Sequence, residues 1–148
     1  MAKLRIIIFG LVFLIIGLIF FNHKTEGKNY ISINGKKIEV EIADTSSLRQ
    51  QGLSERKSLC PDCGMLFLFP EPGFYGFWMR KMHFDIDIIW VRGETIVDIA
   101  KSVSRPGPHE FESPRKTYTS REPADKVIEV NSGWCEANGI EIGDRVSY

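Results

Sequence analysis

No stretch of this sequence gathers basic residues into a cluster, and no acidic residue occurs before Glu26. Lys3 and Arg5 are the only charged side chains ahead of Phe21. Of 19 Lys+Arg and 19 Asp+Glu, the rest of the chain therefore keeps 17 basic and 19 acidic groups, a balance of −2. A slightly acidic domain without a basic patch lacks the phosphate contacts that nucleic-acid binding requires, which argues against a nucleic-acid partner. There is no Gly-x-Ser-x-Gly elbow, no Ser or Cys beside any of the three His, and no glycine-rich phosphate loop. The local signatures of nucleophilic hydrolysis and of nucleotide binding are thus missing. Internal repeats and low-complexity tracts are also absent.

What the chain has first is an apolar N-terminus. From Ile6 to Phe21 no residue is charged or strongly polar. Sixteen residues at the helical rise span roughly 24 Å, a little short of a ~30 Å hydrocarbon core, and Leu4, a snorkelling Arg5 and Asn22 cover the difference. Asn22-His23-Lys24-Thr25 offers no small-residue cleavage pattern, so an uncleaved transmembrane helix is favoured over a cleaved signal peptide. Lys3, Arg5 and the terminal amine keep residues 1–5 cytoplasmic, although Lys24 and Lys28 also flank the span. The expected layout is a cytoplasmic stub at 1–5, an anchor at 6–21, a polar linker at 22–29 and one domain at 30–148 outside the cytoplasm. About 120 residues can bury an adequate single core.

Within that domain, short apolar blocks are bounded by Gly and Pro, which predicts strands. Tyr30–Ile33 and Lys37–Ala43 alternate around Asn34-Gly35, a strong hairpin signal. Asp44-Thr45-Ser46-Ser47 offers N-caps for a short helix ending near Gly52, with Ser47 and Gln50 at capping-box spacing. The centre of the core falls in Gly64–Val91. Met65–Phe69 and Phe74–Met79 read as a hairpin turned by Pro70-Glu71-Pro72-Gly73, followed by a third block at Ile86–Val91. Further strands are expected at Glu94–Val103, Lys126–Val130 and Arg145–Tyr148. A proline-rich loop covers Ser104–Arg115, and a helical turn runs from Asn131 to Gly139.

Gly52-Leu53-Ser54-Glu55-Arg56, Gly64–Phe69 (GMLFLF), Phe77-Trp78-Met79 and Asp85–Val91 (DIDIIWV) resemble the DUF192 family, a domain of unknown function, from about Lys37 to Tyr148. The resemblance implies a β-rich single domain and no agreed activity. Arg49, Arg56, Tyr118 and Glu129 match family-typical positions, where they either orient a ligand or fix the helix and loop against the sheet. Ser54 stands where the family has Met, Lys81 where it has Asn, and a Pro expected near Asp85 is missing.

The fold expected is a mostly β, compact barrel or jelly-roll-like sandwich with one or two short helices, preceded by the N-terminal transmembrane helix. Cys60-Pro61-Asp62-Cys63 can be a local disulfide, half a zinc site, or free or redox-active thiols. Outside the cytoplasm the disulfide fits best, and no metal or cofactor is assigned. Trp78, Arg80 and Asp87 lie at neighbouring strand ends, where an aromatic floor and an Arg–Asp pair could take a sugar or carboxylate, or simply close the barrel end. Arg49 and Tyr118 join them as candidate ligand-binding residues. Asp85 and Asp87, or His83, carry the alternative of a hydrolase. The function expected is a membrane-tethered module for a small molecule or an envelope protein, with a structural accessory of an envelope complex as a further alternative.

Overall fold

A computed structural model describes residues 27–148. The predicted anchor at 6–21 lies outside the described residues. Among these, no helix is long and apolar enough to cross a membrane.

The chain opens on a hairpin of β1 (Asn29–Ile33) and β2 (Lys36–Ala43). Its Asn34-Gly35 turn has φ of 49° and 77°, the doubly positive pair that matches strand twist and that Asn and Gly tolerate. Helix α1 (Ser46–Gln51) follows. Its cap is Thr45, whose hydroxyl accepts from Leu48 N at 3.2 Å, rather than the Ser47 box. Next come β3 (Cys63–Gly73), β4 (Phe77–Trp78), β5 (Ile86–Arg92), β6 (Thr95–Val103), β7 (Thr117–Tyr118) and β8 (Ala124–Asn131). Helix α2 (Trp134–Ala137) and β9 (Val146–Ser147) end the chain.

Seven strands form one sheet in the order β6-β5-β8-β3-β2-β1-β9, and β4 pairs with β7 in a separate ribbon. The large sheet curls so that its two ends touch locally, with Thr95 bridging Arg145 and Val146 N donating to Glu94 O. The architecture is mostly β, a curled half-barrel with two short helices, where a compact barrel or jelly-roll-like sandwich is expected from the sequence.

One expectation fails. Met65–Phe69 and Phe74–Met79 are not a hairpin. Both edges of β3 are already taken, by β2 in parallel and β8 in antiparallel register, so β4 has no edge to join and pairs with β7 instead. The Pro70-Glu71-Pro72-Gly73 segment stays extended within β3, where pairing to β8 is irregular between Leu68 and Gly73. Proline has no N–H to give to a ladder, and that gap in pairing is where it is tolerated.

Side-chain alternation divides the core in two. Ile38, Val40, Leu66, Ile89, Ile128 and Val130 join one apolar cluster; Met65, Phe67, Ile88, Trp90 and Val127, one residue out of step, join the other. Gly64 marks the tightest approach between central strands. A Cβ there would lie 2.7 Å from the Glu129 carbonyl oxygen, so only glycine fits at the head of GMLFLF.

Candidate functional site

Strand register sets one row of side chains across the sheet. Glu41 of β2 pairs with Met65 of β3, Met65 with Glu129 of β8, and Glu129 with Ile88 of β5. Glu129 therefore stands between two apolar cross-strand neighbours, on the face shared with Phe67, Trp90 and Val127. It is only 5% exposed. Burial pushes its carboxyl up to about 8, against the weaker downward pull of the Arg56 charge. Arg56 is itself engaged: its guanidinium forms a two-pronged pair with Glu41, with Nη2 at 2.7 Å from Oε2. That hydrogen bond holds the Glu41 carboxyl below its usual range. Among the described residues, the Glu129 carboxyl makes no hydrogen bond or salt bridge and keeps its contact with the cavity, whereas Trp90 Nε1 is the fully buried side-chain polar atom left without a partner.

This carboxyl opens into a cavity of about 320 Å³. One wall is helix α1 with the turn after it, carrying Arg49, Gln50, Gln51 and Ser54. The other is aromatic: Phe67 and Phe69 from β3, Tyr75, and Phe77 and Trp78 from β4, with Met82 beside them. The rings brace one another. Phe69 stacks on Tyr75 with centroids 3.6 Å apart, and Phe77 meets Phe67 edge-on at 5.0 Å. Tyr75 is fixed by its hydroxyl, which donates to Glu71 O at 2.6 Å. Trp78, 49% exposed, stands at the mouth. Arg49 is held by Nη1, which donates to Asp44 O at 2.6 Å and Leu68 O at 2.8 Å, while its guanidinium lies 5.2 Å from the centre of the Phe69 ring.

The residues singled out from the sequence thus separate. Arg49 and Trp78 line this cavity. Arg80 lines an adjoining hollow of about 360 Å³ that shares Gln50, Gln51 and Ser54 with it, and its Nε donates to Glu112 O at 3.2 Å. Tyr118 is half-buried behind Phe77, its β-pair partner, with Lys116 Nζ 4.4 Å from its ring centre. Asp87 is not brought to Trp78 and Arg80, because it alternates with Ile88 and Trp90 and so leaves β5 on the opposite face. There it is fully buried and accepts three backbone N–H groups, from Ser102 at 2.8 Å, Gly133 at 3.2 Å and Cys135 at 3.0 Å. Asp85 accepts from Arg105 N at 2.9 Å, so each carboxylate of the Asp85/Asp87 pair is taken up by backbone amides. His83 is exposed, its ring 5.0 Å from that of Phe111.

Cys60 and Cys63 are joined as a disulfide, Cα atoms 5.1 Å apart, at the entry to β3. Asn131 Nδ2 holds that turn by donating to Cys60 O at 2.8 Å. Cys135 is free and buried; burial, with Asp87 beside it, pushes its thiol up. Among the described residues, no three His, Cys, Asp or Glu side chains converge as a metal-binding group. Lys81 adopts φ of 55°, a left-handed conformation that Asn enters more readily than Lys.

Glu129 is the site residue that sequence reasoning left between a ligand-orienting and a structural role. Its signal was an acidic residue flanked by Ile128 and Val130 inside an apolar strand, on the same parity as Val127.

The comparisons with known proteins agree on the fold and leave the activity open. A UPF0127 protein of Pyrococcus furiosus is 28% identical over 118 residues, 76% of this chain and 88% of that one. A crystal structure of a proposed transcription regulator from Sinorhizobium meliloti is similar at a TM-score of 0.73 and 29% identity, covering 82% of this chain and 93% of that one. A protein of unknown function from Novosphingobium aromaticivorans is similar at a TM-score of 0.73 and 27% identity, covering 85% and 90%. The DUF192 family, described as an uncharacterized ACR, matches residues 29–148, and the chain belongs to it.

Proposed function

We propose that this chain is a small-ligand-binding module, tethered to a membrane by residues 6–21 and held outside the cytoplasm, with its site between α1 and β4. The observation that carries the reading is Glu129, an ionisable group buried at the base of an aromatic cavity with no protein partner. Burying such a group without a partner costs stability, and a ligand that supplies the partner recovers it. The braced rings offer a flat apolar surface, and Arg49, Gln50, Gln51 and Ser54 offer polar groups along the opposite wall, the composition of a small-molecule site. The uncharged run at 6–21 and the Cys60–Cys63 disulfide support the tether and the oxidising side of the membrane. Regulation of transcription is not carried over, since the chain beyond Phe21 holds 17 basic and 19 acidic groups and gathers no basic patch. A protein partner is the second reading, favoured by the exposure of Phe74 and Trp78.

A thermal-shift screen with sugars, carboxylates and amines tests this. A ligand at about a hundred times its Kd stabilises by roughly 2.7 kcal/mol, which raises the midpoint of a domain of this size by several degrees. The shift is expected to disappear in Trp78→Ala, which removes an exposed ring and leaves the core intact. A screen that is flat across all three classes, or hits that survive both Trp78→Ala and Arg49→Gln, would remove the cavity from the account.

A further inference from the structure

Resting on the reading of this cavity as a binding site, we propose that its ligand carries an amine, whose ammonium group sits on the Glu129 carboxylate among the rings of Tyr75, Phe77 and Trp78.

The charges around Glu129 define what is missing. Helix α1 presents Arg49, the segment after it Arg56, and β2 Glu41; β3 and β5 present Met65 and Ile88. Arg56 is occupied by Glu41. Arg49 is anchored at the Leu68 carbonyl, three residues along β3 from the Met65 row, which is roughly 10 Å at the strand rise. Among the described residues no cation forms a salt bridge with the carboxyl, and Arg56 acts on it only through its charge, so the directly bonded partner is the ligand's to supply. A primary ammonium brings three N–H donors and a positive charge, and the surrounding aromatic faces favour a cation over a neutral hydroxyl. The cavity volume of about 320 Å³ leaves room for an apolar body beyond the nitrogen. A carboxylate ligand would instead meet Glu129 as a like charge or keep it protonated.

The proton balance is simple. Free Glu129 holds its proton at pH 7, since burial raises it to about 8. An ammonium ligand turns the carboxylic acid into carboxylate, and one proton leaves to solvent. Nothing is oxidised or reduced.

Isothermal titration of the full chain in detergent, with benzylamine as probe and benzyl alcohol as its neutral counterpart, tests the proposal. Titrations at pH 6.5 in two buffers of different ionisation enthalpy read proton release directly. Benzylamine is expected to release close to one proton per site at pH 6.5, with affinity rising by up to about tenfold per pH unit toward pH 8. Glu129→Gln, which keeps the side chain's size, is expected to lose at least about tenfold in affinity together with the proton release. Benzyl alcohol or a neutral sugar binding as tightly, without proton release, would overturn the amine and leave the cavity as a binding site. Benzylamine failing to bind while the thermal screen yields a carboxylate or sugar would have the same meaning. Failure of benzylamine in a cavity where the screen is also flat would overturn both.

Discussion

Asp87→Ala is expected to lower the stability of the domain by roughly 2–5 kcal/mol, because it strands the buried amide of Cys135 and the part-buried amides of Ser102 and Gly133, at about 1–3 kcal/mol for a buried donor and less where water reaches it. The Asp87 carboxylate accepts from Ser102 N and Gly133 N through Oδ1 and from Cys135 N through Oδ2, so one side chain ties the end of β6 to the start of α2 from the start of β5. Water has no access to the buried Cys135 amide and only partial access to the other two. Asp87→Asn should do less damage, since its amide oxygen can still accept while its NH2 turns a donor toward one of the N–H groups. Urea unfolding checks this: the midpoint should fall steeply for Ala, less for Asn, with little change in slope. A loss under about 1 kcal/mol for Ala would mean that the amides find other partners, and that Asp87 is free for the ligand role its sequence position suggested.

Glu129→Gln should do the reverse, by an amount that grows as pH rises from about 5 to about 8. A carboxyl raised from 4.5 to about 8 binds its proton more tightly when folded. Its contribution to stability is therefore complete below the unfolded value and lost as pH rises through about 8. Between those limits the wild-type chain should lose about 1.4 kcal/mol per pH unit, up to roughly 4–5 kcal/mol over the interval if the pocket does not relax. Gln keeps the volume and has nothing to ionise. Measured against its difference from wild type at pH 5, the Gln variant should therefore gain roughly 2–4 kcal/mol by pH 9. Parallel stability curves for the two proteins would show that Glu129 is solvated or paired, and the cavity would lose its defining group.

Local chemistry was readable in this sequence; adjacency between distant segments was not. The Asn34-Gly35 turn, the β5 run at Ile86–Arg92 and the helix before Gly52 all follow from short-range patterns of apolar spacing and turn residues. The pairing of β3 depends on which strands occupy its two edges, and nothing within Gly64–Met79 encodes that β2 and β8 do. Two prolines imitate a turn signal because proline punctuates both turns and unpaired stretches of strand.

The site divides along the same line. Arg49 and Trp78 were identifiable as a cation and an aromatic near the motif-bearing segments, and both line the cavity. Asp87 was grouped with Trp78 through nearness in sequence, but strand parity sends it to the other face, and its neighbours Ile88 and Trp90 are the ones that pack toward the cavity side. Arg80 was paired with Asp87 and instead meets Glu112, from a loop whose position only the fold supplies. Glu129 carried the clearest local oddity, a carboxylate within Val127–Val130, yet its meaning depends on Met65 and Ile88 flanking it across the sheet. A side chain's surroundings are long-range facts, and the function of this domain rests on them.

The most direct test is the titration of Glu129 itself, followed by carbon-13 NMR of its side-chain carboxyl in the ligand-free protein, with Glu129→Gln assigning the signal. The account predicts a midpoint near 8, moving down when an amine such as benzylamine is added. A midpoint at the ordinary glutamate value, about 4.3, unchanged by any amine, would contradict it.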